Sequence, residues 1–594
     1  MGDRLRRVLA AIERSATARG GLRRLALLVA ALYSSVLLQG FQVDDLWHRT
    51  LLRGSPHLAT PRSPWWDLFV FFDGDARRLA QFRAHGFAMW WSDVNLRVAF
   101  FRPLSGLTHA LDDALWHDAP ALMHLHSLAW YLALVAVAAA LYREVTSKRA
   151  AAVAALLYAV DHTHAGVVAW IGNRNALTAA LFGLLAVLLH HRGTRGDARA
   201  RWASAPALAL ALLSGESGLA AVAYLGAHAL TLDTRPWVDR ARSLAPAALV
   251  TAAWAAVYRL GHYGTVGAGL YVDPTHNPLR FLAGVPRAMT LMAASEWGGL
   301  APEVGLTLPL AGRRVILVVA IIAVTLTLAG LSRALRTRAS TRFMLLGALL
   351  AMLPSCGTMP ATRLLMLPGF GLVGVVAEAL CDLVEGPAKG TLAQRVGLRW
   401  VGGWAGVFHL ALSPLLLIPL SWQMVMFHSA MEGWANSFAP DDRALTSQRL
   451  VVVNAPDVTF IGYTQLIRDH RGETLARSLF TLASGTHPLA LTRVSDDALV
   501  VHAPGGFYQR DTELLTRDLY TAMPAGTRVE VPDITVEVLR TTPRGVPDLA
   551  RFTFAGGLDD ARYRWTQWQG RHLVPFALPA VGQRVYLEGH LLEL

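Results

Sequence analysis

The stretch Arg23-Arg-Leu-Ala-Leu-Leu-Val-Ala-Ala-Leu-Tyr-Ser-Ser-Val-Leu-Leu-Gln-Gly-Phe-Gln-Val-Asp-Asp45 decides the fold of this chain. Its apolar run, Leu25–Leu38, follows a basic N-terminus that carries Arg4, Arg6, Arg7, Arg14, Arg19, Arg23 and Arg24. No small-residue cleavage site is obvious after it, so the run reads as a retained first membrane span rather than a signal peptide. Two carboxylates then stand within a few residues of the hydrocarbon, where charge is costly unless it faces a polar cavity or a partner.

Working outward, the whole chain has the same character. It is 53% hydrophobic and 16% charged, against about 25% charged in an ordinary soluble domain. Apolar runs recur near 121–142, 314–332, 343–355, 363–383 and 401–421, with two interrupted stretches at 150–190 and 202–232. Arginines cluster between them, at Arg143/Lys148/Arg149, Arg192/Arg195/Arg199/Arg201, Arg235/Arg240/Arg242, Arg333/Arg336/Arg338/Arg342 and Lys389/Arg395/Arg399. If every cluster is cytoplasmic, an even number of crossings separates neighbours. Each interrupted stretch is then a helical hairpin, a further span lies near 243–258, and 281–300 is a helix that does not fully cross. The net charge of +13 is therefore a topology signal, and no nucleic-acid motif accompanies it.

The fold class that follows is an all-α polytopic membrane domain of about eleven transmembrane helices, residues 1–429, with a first extracytoplasmic loop over about 42–120. The N-terminus is cytoplasmic. Residues 430–594 form a mostly β extracytoplasmic C-terminal domain, because charges return after Ser421 and period-2 alternation appears in Thr527–Pro532 and Ile534–Leu539. Further strands are expected at Arg449–Asn454, Leu499–Ala503, Arg551–Phe554 and Arg584–Glu588, with a helix at Asp511–Tyr520.

Several residues could carry chemistry. Asp44 and Asp45 read either as a general base for an attacking hydroxyl or as an ordinary solvated loop start. Arg102 precedes Pro103, a good first helical residue; Leu104, Leu107, Leu111 and Leu115 then recur at helical spacing, as in a helix lying on the membrane surface or a plain packing helix. Asp161-His-Thr-His164 resembles half a metal site only loosely, since two histidines at i and i+2 lack a third firm ligand. Arg174 is either a bidentate phosphate binder or a snorkelling side chain. Arg363 lies between Pro360 and Pro368, which break regular helix so that backbone can line a cavity. Glu216 sits in a Gly-rich turn, lining the cavity or facing outward.

Taken in order, Asp44-Asp45, Arg102-Pro103-Leu104, His124, Tyr158-Ala-Val160 with His164, Arg174, Leu212-Leu-Ser-Gly-Glu216 and Arg363 with Leu367-Pro368 resemble the GT-C superfamily of membrane glycosyltransferases. The likeness is to the O-mannosyltransferases with tetratricopeptide repeats and their bacterial relatives, over roughly 25–385. The chain departs at Asp161-His162, where His-Pro is usual, at Gly215, where Lys is usual, and in having no tetratricopeptide repeats.

The resemblance implies inverting sugar transfer from a polyprenyl-phosphate donor to a glycan, lipid or protein acceptor. Transfer would take place outside the cytoplasm, at the plasma (inner) membrane of the cell envelope. Asp44 would be the base with Asp45 as its alternate. Arg363, Arg102, Arg174, His124, His164 and Glu216 would bind donor phosphate or shape the site. No metal ligand set is assigned and no cofactor is certain; a divalent metal is compatible but not indicated. The alternative is a non-enzymatic lipid-glycan transporter or assembly partner with a degenerate transferase fold.

Overall fold

The computed structural model describes residues 2–385, 391–509 and 511–590. Among these, eight helices are long and apolar enough to cross a membrane: Pro120–Val145, Lys148–Ala169, Ile171–Thr194, Trp237–Leu260, Leu310–Thr337, Ala339–Gly357, Met366–Val384 and Leu392–Ala435. The other crossings expected from charge counting correspond to shorter pieces: Gly21–Leu32 with the 3-10 turn Ser34–Leu38, Ala198–Ser214 and Leu219–Thr231. None of these helices reaches the roughly 20 residues of a straight span. The stretch expected to be helical without crossing is the helix Pro278–Gly298. Its last turn packs on Ala323, midway along Leu310–Thr337.

The arginine-rich turns meet at one end of this bundle. The N-terminal helix Gly2–Thr17 lays Leu5, Leu9 and Ile12 on the core. Arg6 Nη2 donates to Val384 O at 3.0 Å, and Arg149 Nε donates to Glu13 Oε2 at 2.8 Å. Arg338 pairs with Asp382, and Arg192 with Glu144 at 3.0 Å. Of the expected basic clusters, Lys389 lies outside the described residues.

At the other end stand two sheets built by the tail. A six-stranded antiparallel sheet runs in the order Arg584–Leu587, Leu489–Arg493, Ala498–His502, Pro547–Phe554, Ile534–Thr541, Arg528–Val531. A four-stranded sheet runs His572–Pro575, Tyr563–Gln569, Arg449–Ala455, Ser478–Ser484, its last three strands parallel. Parallel neighbours need a crossover, and the helix Tyr463–His470 supplies it between Arg449–Ala455 and Ser478–Ser484.

Sequence reasoning missed that helix and expected one at Asp511–Tyr520 instead, where only the 3-10 turn Asp511–Leu515 forms. Residues beyond the turn are claimed by the first loop: Asp93 N donates to Thr516 O at 2.9 Å and Arg517 Nη1 to Trp91 O at 2.9 Å.

The described residues form two apolar cores. One fills the bundle. The other joins the first loop to the tail, bringing Trp47, Phe82, Trp90 and Trp91 against Leu479, Phe507 and Phe552. The loop that sequence reasoning grouped with the membrane domain is thus packed as part of the C-terminal unit. Trp90 Nε1 donates to Leu482 O at 3.0 Å, so even its polar edge is satisfied across that junction.

Candidate active site

Asp44 and Asp45 open the helix Asp44–Arg53, where the free N–H groups and helix dipole favour negative charge. The residue before them, Val43, is buried with φ 41° and ψ −112°. A β-branched residue at positive φ is strained, and such strain is kept where packing over-determines it.

The two acids are held differently. Asp45 is buried and accepts two backbone N–H groups, from Gln42 at 2.9 Å and Gly172 at 2.6 Å. Burial pushes its carboxyl up to about 7, against the pull of those two bonds. Gly172 lies close against both acids: a Cβ there would stand 3.0 Å from Asp45 Oδ1 and 3.4 Å from Asp44 Cβ. Behind Asp45 lies a cavity of about 20 Å³ lined by His48, His109 and Asp112 among others. That is room for one water, not for a sugar.

Asp44 is half-buried and accepts a hydrogen bond from the Tyr463 hydroxyl at 2.7 Å. Burial raises its carboxyl above the ordinary range, while Tyr463, Arg363 and Arg102 act in the opposite direction. Tyr271 feels the charges of Arg363, Arg102, Asp44 and Glu216, so these groups lie within electrostatic reach of one another.

Arg102 stands at the N-cap of the helix Pro103–Trp116. Its Nε donates to Glu216 Oε2 at 2.8 Å, and its guanidinium lies over Phe100 and Phe69 at 4.4 and 5.0 Å from the ring centroids. Its position is therefore set on several sides. Arg363 is the opposite case. It lies in the short turn Thr362–Leu364, fastened by Thr362 N and Oγ1 donating to Glu303 Oε1 at 2.6 and 2.7 Å. Its side chain is exposed and, among the described residues, makes no hydrogen bond or ion pair. A cation fixed by its backbone but free at its head is suited to an external anion.

Asp44, Asp45, Arg102, Glu216 and Arg363 therefore come together. Arg174, His124 and His164 do not open onto the same space. Arg174 is fully buried; it pairs with Asp112 Oδ2 at 2.5 Å and donates to Ser127 Oγ at 3.0 Å and Met123 O at 2.9 Å. His124 Nε2 faces Gly40 O at 3.4 Å, and His164 Nδ1 faces the Tyr131 hydroxyl at 3.0 Å. Both histidines are buried. Among the described residues no group of three His, Cys, Asp or Glu side chains is spaced to hold a metal ion. Tyr463 and Tyr271 were not singled out from sequence, because a lone tyrosine in a loop or a β-rich tail carries no local signal.

The helix Pro103–Trp116 is inverted relative to a soluble one. It buries Ser105, Thr108, His109 and Asp112, and exposes Leu111 and Leu115. Trp65 and Trp66, exposed as well, stand beside it, with Trp65 O against Gly106.

No family model and no curated protein matches the chain. Among solved structures it is similar to ArnT from Cupriavidus metallidurans bound to undecaprenyl phosphate, with 15% identity and a TM-score of 0.36, over 78% of this chain and 90% of that one. It is also similar to the oligosaccharyltransferase of Archaeoglobus fulgidus tethered to an acceptor peptide containing the NVT sequon. There the identity is 12% and the TM-score 0.40, over 79% of this chain and 64% of that one, so less than two thirds of that protein's length is spanned.

Proposed function

We propose that this chain is an integral membrane glycosyltransferase of the GT-C type. It moves a sugar from a polyprenyl-phosphate donor to an acceptor hydroxyl on the extracytoplasmic face. The observation that carries the reading is the convergence of a half-buried carboxylate, Asp44, with an unpaired guanidinium, Arg363, and a fixed one, Arg102. Two features support the depth and the side. The exposed leucines of Pro103–Trp116 and the neighbouring Trp65 and Trp66 suit an interface. The arginine-rich turns gather at the far end of the bundle, which suits a cytoplasmic face.

In this reading the donor's prenyl chain lies in lipid and its phosphate meets Arg363. Asp44 takes the proton of the acceptor hydroxyl as its oxygen bonds to the anomeric carbon. The bond from that carbon to the phosphate oxygen breaks, and its electron pair leaves on the phosphate, where Arg363 stabilises the developing charge. Attack opposite the leaving group inverts the anomeric centre. Arg102, braced by Glu216, keeps a second positive charge near the site. Asp45, engaged by two N–H groups, orients the turn that carries Asp44.

The test is donor consumption by the purified protein with a panel of polyprenyl-phosphate sugars. Wild type should consume at least one. Asp44→Asn should lose at least about a hundredfold, within the range of a removed general base, while keeping its unfolding temperature. Arg363→Ala should raise donor KM and lower kcat. A protein that binds the donors but consumes none would instead be a lipid-glycan transporter or assembly partner.

A further inference from the structure

The tail reaches into the site through one helix. Tyr463–His470 runs beside Asp44–Arg53 and touches it near both ends: Tyr463 at Asp44, and His470, whose Nε2 lies 2.9 Å from Leu46 O and 3.0 Å from Thr50 Oγ1. Its position is not adjustable. Gly462 is pressed against the first loop, where a Cβ would stand 2.7 Å from the Phe87 ring and 2.8 Å from Gly86 O. The loop leading to it is tied by Asp457, which accepts from Thr459 N at 2.7 Å, Phe460 N at 3.3 Å and Thr512 Oγ1 at 3.0 Å. Tyr463 itself is 7% exposed, with Phe460 packed on its ring at 5.6 Å. This is the carboxyl end of a parallel strand, Arg449–Ala455, where open parallel sheets present their functional groups.

We propose that Tyr463 is a positioning residue for Asp44, so that the C-terminal domain completes the site of the membrane domain rather than merely adjoining it. The role assigned to Asp44 rests on the proposed function; the contact itself does not. The phenol donates to one carboxylate oxygen and leaves the other to meet an acceptor hydroxyl. A hydrogen bond to the charged form favours that form, so Tyr463 favours the ionised base in a site whose burial works against it. The other groups that act electrostatically on Asp44 are Arg363 from the turn Thr362–Leu364, Arg102 from the start of Pro103–Trp116, Tyr271 from the loop after Trp237–Leu260, and Asp45 beside it. None of these would move in Tyr463→Phe, which keeps the packed ring and removes only the hydroxyl.

The experiment uses the full chain in lipid nanodiscs and two readouts. Difference infrared spectroscopy, with Asp44→Asn as the blank, follows protonation of Asp44 with no donor present. In Tyr463→Phe its midpoint should rise by about one pH unit or more, the size of a lost hydrogen bond to a charged group. With the donor found above, the acid limb of kcat/KM should move up by the same amount, donor KM and unfolding temperature staying close to wild type. An unchanged midpoint would overturn the proposal. A shifted midpoint in a protein that consumes no donor would support the contact and overturn glycosyl transfer instead.

Discussion

Replacing Arg174 by leucine separates two roles a guanidinium at this position can have. In the structure it is a tie: Arg174 is 0% and Asp112 2% exposed, and they meet at 2.5 Å. Two further donors go to Ser127 Oγ and Met123 O. Arg174→Leu would leave Asp112 buried with His126, at 2.6 Å, as its remaining side-chain partner. Breaking a buried pair from one side costs about 3–5 kcal/mol, whereas replacing both members with apolar groups of similar volume is close to neutral. The single variant should therefore unfold early, and Arg174→Leu with Asp112→Leu should recover most of the loss. The assay is thermal or denaturant unfolding of the purified protein in detergent, with donor KM measured on the same samples. A single variant as stable as wild type, with donor KM raised tenfold or more, would refute the structural role and restore Arg174 as a phosphate contact.

Two other perturbations follow from the same geometry. Burial lifts Asp45 from 3.8 to about 7, so between those values the folded chain holds a proton that the unfolded chain releases. Its contribution to stability is full below about pH 4 and is lost as pH rises towards 7. Asp45→Asn should therefore flatten the stability curve over that window, and an identical slope in wild type and variant would count against the assignment. Trp90, 1% exposed and edge-on to Phe507 and Phe552 at 5.0 and 5.7 Å, locks the first loop to the tail. Trp90→Ala should cost about 3–5 kcal/mol and expose the tail to limited proteolysis, and unchanged protection would show that the two do not share a core.

Asp44, Arg102, Glu216 and Arg363 could be picked out in advance because each breaks a local pattern. Asp44 follows the first apolar run, Arg102 precedes a proline, Arg363 lies between two prolines, and Glu216 is an acid in a Gly-rich turn. Arg174 broke a pattern just as plainly, yet that said nothing of where its charge is spent, since its partner lies on another helix. The Asp511–Tyr520 stretch shows the same limit from the other side: local helical character lost to hydrogen bonds made by Asp93 and to Trp91.

By itself the sequence determined that this chain is a bundle of apolar helices with arginine-rich turns and a β-rich tail. Apolar run length, charge spacing and period-2 alternation are properties of neighbouring residues, and solvent acts on them locally. Only the tertiary structure decided that the first loop folds onto that tail, and that Asp44 is met by a tyrosine 419 residues away. It also decided that one arginine is spent on Asp112 while another stays open. Such pairings depend on which surfaces close on one another, and a buried charge takes whatever partner the packing brings within about 3 Å.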